Sequence, residues 1–133
     1  MAQLKYKRVL LKISGEALAG DKHFGFDFDV VSKVCDVIRR CNEMGVEMGV
    51  VIGGGNFWRG VKNGEGYIER TRADHMGMLA TAINALALQD SLERQGGPCR
   101  VLSSVDMDKF CDSYTSRRAL ELQIGRASCR ERV

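Results

Sequence analysis

Apolar residues fall along this chain in short unbroken runs and in longer stretches with three- and four-residue spacing. Val9-Leu10-Leu11-Lys12-Ile13 is a run of the first kind and reads as a short buried strand, ended by Ser14-Gly15. Val30, Val34, Val37, Ile38 and Cys41 follow helical spacing, with Asp36, Arg39 and Arg40 on the opposite side. Asp27 or Asp29 can cap that helix, and Gly45 sits where a C-terminal glycine belongs, so it runs to about Glu43. Glu47 to Ile52 is a second strand leading into Gly53-Gly54-Gly55-Asn56. A loop through Gly60, Gly64 and Gly66 follows, then a helical turn over Tyr67 to Arg72. The pattern next predicts a long helix from about Asp74 to Arg94, stopped by Gly96-Gly97-Pro98. Its middle, Met76 to Leu88, is apolar or small nearly all round, which predicts burial on several sides. Arg100 to Ser103 reads as a third strand, and Thr115 to Leu122 as the start of another helix.

Strand and helix alternate, which predicts an α/β fold: a mainly parallel sheet with helices on both faces, joined by right-handed crossovers. In such sheets ligands gather at the carboxyl ends of the strands. Lys12-Ile13-Ser14-Gly15 and Gly53-Gly54-Gly55-Asn56 both fall on that edge.

Composition narrows the class. A length of 133 residues suits one domain, and 44% hydrophobic with 28% charged residues is ordinary for a soluble globular protein. The net charge of +3 owes much to Arg126, Arg130 and Arg132 near the end. No basic stripe interleaved with aromatics remains elsewhere, so no nucleic-acid partner is expected. Five cysteines, odd in number and without C-x-x-C spacing, fit a reducing compartment. No run approaches the roughly 18 apolar residues of a membrane span, and the N-terminal run is too short for a signal peptide. A cytoplasmic location is the expectation. His23 and His75 are isolated from other ligand-type residues, so no metal site is expected, and no Ser/His/Asp or Cys/His arrangement is legible.

Candidate chemistry lies on the strand exits. Three successive glycines remove every Cβ from a turn, so backbone N–H groups can close around an anion; a plain tight turn is the alternative. Neither G-x-x-x-x-G-K-[ST] nor G-x-G-x-x-G before a helix occurs here. Lys12, in an otherwise apolar strand, either presents its ammonium to phosphate oxygens or snorkels to water from an edge. Ser14 and Gly15 offer a hydroxyl and free N–H groups, or ordinary loop chemistry. Arg59 either grips phosphate through its planar fork or lies on the surface. Asp74 either caps the long helix or accepts hydrogen bonds from a sugar hydroxyl, and its two oxygens allow both. Phe57 and Trp58 either wall a pocket or pack on the sheet.

Lys12-Ile13-Ser14-Gly15-Glu16-Ala17-Leu18, Val51-Ile52-Gly53-Gly54-Gly55-Asn56, Arg59-Gly60 and Asp74-His75-Met76-Gly77-Met78-Leu79-Ala80-Thr81 occur in that order. Cys111-Asp112-Ser113-Tyr114 follows them. Together they make residues 6 to 122 resemble the bacterial uridylate kinases (UMP kinases) of the amino-acid kinase family. The resemblance implies an enzyme, a nucleoside monophosphate kinase moving the γ-phosphoryl group of ATP to UMP, with Mg²⁺, in pyrimidine nucleotide synthesis. It implies Lys12 and Arg59 as catalytic residues. Lys12, Ser14, Gly15, Gly55 and Arg59 would face ATP, and Gly54 and Asp74 would face UMP. The stretch Gly20, Asp21, Lys22, His23, Phe24 and Gly25 corresponds to the family's GTP effector region in a less glycine-rich version. GTP and UTP as effectors and assembly as a homohexamer are implied in the same way. Another small acceptor, or a non-catalytic nucleotide-binding regulatory module, are the alternatives.

After Leu122 the likeness ends, and Ile124 to Val133 resembles the translation of a common sequencing adapter. Residues 1–122 therefore read as the N-terminal part of an amino-acid kinase domain and 123–133 as a foreign tail. The expectation is a partial fold truncated after about the third strand, with a sheet edge and part of the long helix uncovered, and without activity of its own.

Overall fold

The computed structural model describes residues 3–59, 66–125 and 127–131, with side chains up to residue 121. Gly60 and Gly64 of the expected loop lie outside the described residues. Strand β1 spans Arg8–Ile13 and pairs in parallel with β2, Glu47–Ile52, in a register running from Arg8 opposite Glu47 to Ile13 opposite Ile52. The two differ in burial for a topological reason. β2 has neighbours on both sides and is buried almost throughout, as a continuous apolar run in a parallel sheet should be. β1 is an edge strand whose alternate residues face outward, and Leu10 is 59% exposed, which corrects the expectation of a buried strand.

Helix α1, Phe28–Glu43, starts at Asp27, whose Oδ1 accepts from the Asp29 N–H at 3.1 Å. It ends at Gly45, where φ is +97° and the N–H donates to Asn42 O at 3.0 Å. Val31, Cys35 and Ile38 enter the core, whereas Val37 is exposed. The buried stripe is therefore rotated from the one expected through Val30, Val34 and Val37, because α1 packs on a neighbouring helix as well as on the sheet.

That neighbour is α2, Arg70–Arg94. It begins before Asp74, merging the expected turn at Tyr67 to Arg72 with the long helix. Asp74 therefore lies inside the helix, exposed, and does not cap it; the cap position is Glu69. Ala73, Ala80, Ala85, Leu88 and Leu92 are buried, but Leu79 is 51% and Ile83 47% exposed. All-round burial of this helix is thus corrected to burial of one face.

Strand β3 spans Cys99–Ser103, β4 Asp112–Ser113, helix α3 Ser116–Gly125 and β5 Ala127–Glu131. The sheet order is β1-β2-β5-β3-β4, with every pairing parallel. It thus continues beyond the third strand, and β5, from the stretch read as a tail, lies between β2 and β3. The steps β1–α1–β2 and β2–α2–β3 run the same way across the sheet, so right-handed crossovers put α1 and α2 on one face. The step β4–α3–β5 runs back and puts α3 on the other. Leu18, Val31, Cys35, Ile38, Val50, Ile52, Ala85, Leu88, Leu92 and Val101 form the core between α1, α2 and the sheet. Among the described residues no helix is long and apolar enough to cross a membrane.

Candidate functional site

Adjacent parallel strands deliver their carboxyl ends to the same edge, and β1 and β2 do so in register. The Gly53 N–H continues their ladder by one bond, to Ile13 O at 3.0 Å, and the glycine turn begins directly beyond it. Lys12, Ile13, Ser14, Gly15, Gly53, Gly55 and Arg59 line one cavity of about 530 Å³ at this edge. Five residues expected to face ATP, namely Lys12, Ser14, Gly15, Gly55 and Arg59, therefore meet in space. Gly54 and Asp74 are not among the lining residues.

Each glycine has its own spatial reason. A Cβ on Gly15 would lie 2.7 Å from both Gly53 O and Gly55 N, so the two strand exits interlock only without a side chain there. A Cβ on Gly54 would meet Ala80 Cβ at 2.8 Å and Thr81 N at 3.0 Å, because this residue packs on α2. A Cβ on Gly55 would meet the Arg59 guanidinium at 3.2 Å. Arg59 thus lies over the glycine turn, held by an ion pair with Glu16, and both side chains remain half-exposed.

Ser14 caps the short 3-10 segment Gly15–Lys22, its Oγ accepting from the Glu16 N–H at 3.3 Å. Its hydroxyl proton stays free to donate toward the cavity. Lys12 stands on the exposed face of β1 and has no acidic partner among the described residues. Two cations and one carboxylate at the mouth leave the cavity net positive. Phe57 packs against Phe26 with ring centres 5.1 Å apart, and the Trp58 Nε1–H donates to Ala73 O at 2.8 Å. Both aromatics therefore pack the turn in place.

The segment Gly20, Asp21, Lys22, His23, Phe24 and Gly25 bends at Gly20 (φ +55°) and at His23 (φ +63°). It contacts the site through Gly25, whose N–H donates to Asn56 O at 2.9 Å and whose carbonyl accepts from Asn56 Nδ2 at 2.9 Å, and through Phe24, whose ring meets that of Phe57 edge-on at 5.6 Å. Asn56 and Asn84, 1% and 0% exposed, pack beside the glycine turn and have no assigned role in the sequence reading. Asn84 Nδ2 donates to Asn56 Oδ1 at 2.7 Å, Asn56 Nδ2 donates to Asn84 Oδ1 at 3.0 Å, and Asn84 Nδ2 also reaches Gly53 O at 2.6 Å. A signal existed: Asn84 is a lone amide within Ala82-Ile83-Asn84-Ala85-Leu86, where a polar side chain needs a buried partner.

This arrangement suits oxyanions. It brings an ammonium, a guanidinium, a hydroxyl and backbone N–H groups to one water-accessible cleft, without a nucleophile or base poised for covalent chemistry. A larger cavity of about 710 Å³ lies along α1 beside Arg39 and Arg40. Arg39 is already paired with Asp36 at 2.6 Å and Glu43 at 2.9 Å, and Arg40 with Asp36 at 3.1 Å, so that cavity offers an anion little. Among the described residues no cluster of three or more His, Cys, Asp or Glu could hold a metal ion by itself.

The sequence model of the amino acid kinase family matches residues 7–131. Among solved structures, the UMP kinase of Bacillus anthracis is similar with 33% identity and a TM-score of 0.86, over 95% of this chain and 52% of that one. The UMP kinase of Ureaplasma parvum is similar with 30% identity and a TM-score of 0.82, over 95% of this chain and 56% of that one. The chain spans about half the length of these relatives.

Proposed function

Since this chain belongs to the amino acid kinase family, we propose that it supplies the phosphate-binding side of a kinase acting on UMP, converting ATP and UMP to ADP and UDP. The observation that carries the reading is the single cavity uniting Lys12, Ser14, Gly15, Gly55 and Arg59 at the carboxyl ends of β1 and β2. Similarity to two UMP kinases supports UMP as the acceptor.

Phosphoryl transfer asks little covalent chemistry of the protein; it asks for alignment of two anionic substrates and neutralisation of their charge. In this reading Lys12 holds the transferred phosphoryl group as a compact charge, and Arg59 leaves Glu16 to grip it bidentately. Glycine-turn N–H groups and the Ser14 hydroxyl complete the cradle. Asp74, exposed on α2, accepts from the sugar of UMP. In this reading a Mg²⁺ ion would arrive on ATP, held by substrate phosphates with few protein ligands. When bound it would neutralise charge on the β- and γ-phosphate oxygens. GTP or UTP as effectors, homohexamer assembly and a cytoplasmic role in pyrimidine synthesis belong to the same proposal.

The proposal assigns phosphate binding to these 133 residues and turnover to a chain of the relatives' full length. Its test is transfer from ATP, assayed in that longer protein with UMP beside carbamate, acetylglutamate and aspartate. UMP as the preferred acceptor supports the reading. Preference for another acceptor, or nucleotide binding without transfer to any, overturns it.

A further inference from the structure

The buried asparagine pair has a consequence for the glycine turn that its packing alone does not require. Each NH₂ group donates one hydrogen to the partner amide and the other to a backbone carbonyl: Asn84 to Gly53 O at 2.6 Å, Asn56 to Gly25 O at 2.9 Å. This network fixes both amide orientations, since the reverse would set carbonyl oxygens against oxygens.

The Gly53–Gly54 peptide has no Cβ on either side, so little in its own chemistry prevents it from flipping. There are no cis peptide bonds among the described residues, and in a trans peptide the C=O and the following N–H point in opposite directions. Asn84 holds the Gly53 carbonyl toward α2. The Gly54 N–H therefore points away from the Asn84 amide. It meets no acceptor among the described residues. A flipped peptide would instead present the Gly53 carbonyl, the negative end of the peptide dipole, to an incoming anion.

We propose that Asn84 is a positioning residue: it fixes the Gly53–Gly54 peptide with its N–H toward a substrate phosphate, and Asn56 holds Asn84 in place. The inference rests on the phosphoryl-transfer reading given above, and it adds the device that decides the sign of the turn. The ligand chemistry is a phosphate oxyanion, from either the acceptor nucleotide or ATP.

The test is ¹H–¹⁵N NMR of the 133-residue chain, titrated with UMP and with Mg²⁺–ATP in separate samples. In the wild type the Gly54 amide resonance moves downfield, and the sample in which it moves names the source of the phosphate. Asn84→Asp keeps the size and one acceptor but loses the donor. In it the Gly54 response disappears while Ser14 and Arg59 still respond, with affinity lowered about 10-fold or more, the scale of one hydrogen bond to a charged group. A purely structural role would not remove one amide's response selectively. If the buried carboxylate unfolds that variant, Asn56→Leu/Asn84→Leu, which removes both polar partners together, is expected to show the same selective loss. A wild-type Gly54 response retained in either folded variant overturns the inference and leaves the functional reading standing. No response of the wild type to either nucleotide overturns both. Unfolding of both variants reduces the pair to a structural clamp and overturns the positioning role.

Discussion

Replacing Gly54 by alanine isolates the contact that seats the glycine turn on α2. Its φ lies outside the left-handed region, so the backbone itself accepts an L-residue, and only space opposes the change. The new methyl carbon would sit 2.8 Å from Ala80 Cβ, 3.0 Å from Thr81 N and 3.1 Å from Gly77 O. Comfortable carbon contact begins near 3.5 Å, so turn and helix must separate by about 0.7 Å. None of these neighbours is the flexible end of a long side chain, so the strain is shared by backbone. Separation by that amount would also draw Gly53 O from its 2.6 Å contact with Asn84 to about 3.3 Å, past the usual hydrogen-bond range. Overpacking of this kind costs about 1–3 kcal/mol, and the weakened bond adds about 1 kcal/mol or less. The expected loss is therefore about 1–4 kcal/mol in urea unfolding, followed by the fluorescence of Trp58, the single tryptophan. Gly53→Ala is the internal control: its Cβ meets only Gly15 N, at 3.4 Å, and should change stability by about 0.5 kcal/mol or less. Equal losses in the two variants, or an unchanged midpoint for Gly54→Ala, would refute the packing argument.

Arg59→Ala, in a phosphoryl-transfer assay of the longer protein, is expected to lower kcat by about 10²-fold, the scale of one transition-state donor; an unchanged kcat removes Arg59 from the catalytic set. Burial raises the Cys35 thiol above its ordinary value of 9.0, with a hydrogen bond to Ser91 opposing and Cys99 adding to the rise. Cys35 should therefore react with a disulfide reagent at pH 8 more slowly than the half-buried Cys41, and equal rates would contradict its place in the core. The sign follows: the unfolded thiol ionises first, so this contribution to stability is complete below pH 9.0 and declines as pH rises above it. Urea melts at pH 8 and pH 10 should show a smaller decline in Cys35→Ala than in the wild type. A chain ended at Leu122 lacks β5, the strand between β2 and β3, and should lose cooperative unfolding. Unchanged melting would mean that residues 123–133 add nothing to the sheet.

Much of the candidate site was legible because its parts are local. Lys12, Ser14 and Gly15 follow one strand, and the glycine turn with Arg59 follows another, so each motif could be read within a few residues. That they share one edge followed from the alternation of strand and helix. Asn84 escaped the reading because its partners, Gly53 and Asn56, are 31 and 28 positions away. Asp74 was misplaced because helix starts are weakly marked; Glu69 makes no side-chain cap bond to announce the start.

What the sequence determined by itself was the order of the main elements, the bounds of β2, the ends of α1 and the chemistry of the strand exits. Hydrophobic period, capping residues and glycine runs act over one or two turns of chain, and these features depend on nothing further away. The tertiary structure alone decided which faces are covered: β1 lies at an edge, α1 turns Val31 and Cys35 inward instead of Val37, and α2 leaves Leu79 and Ile83 outside. It also decided that β5 parts β2 from β3, and that a buried amide on α2 sets the direction of a peptide in the glycine turn. Those outcomes depend on pairing and packing between distant segments, where burial and unmet hydrogen bonds select among arrangements that local pattern leaves equal.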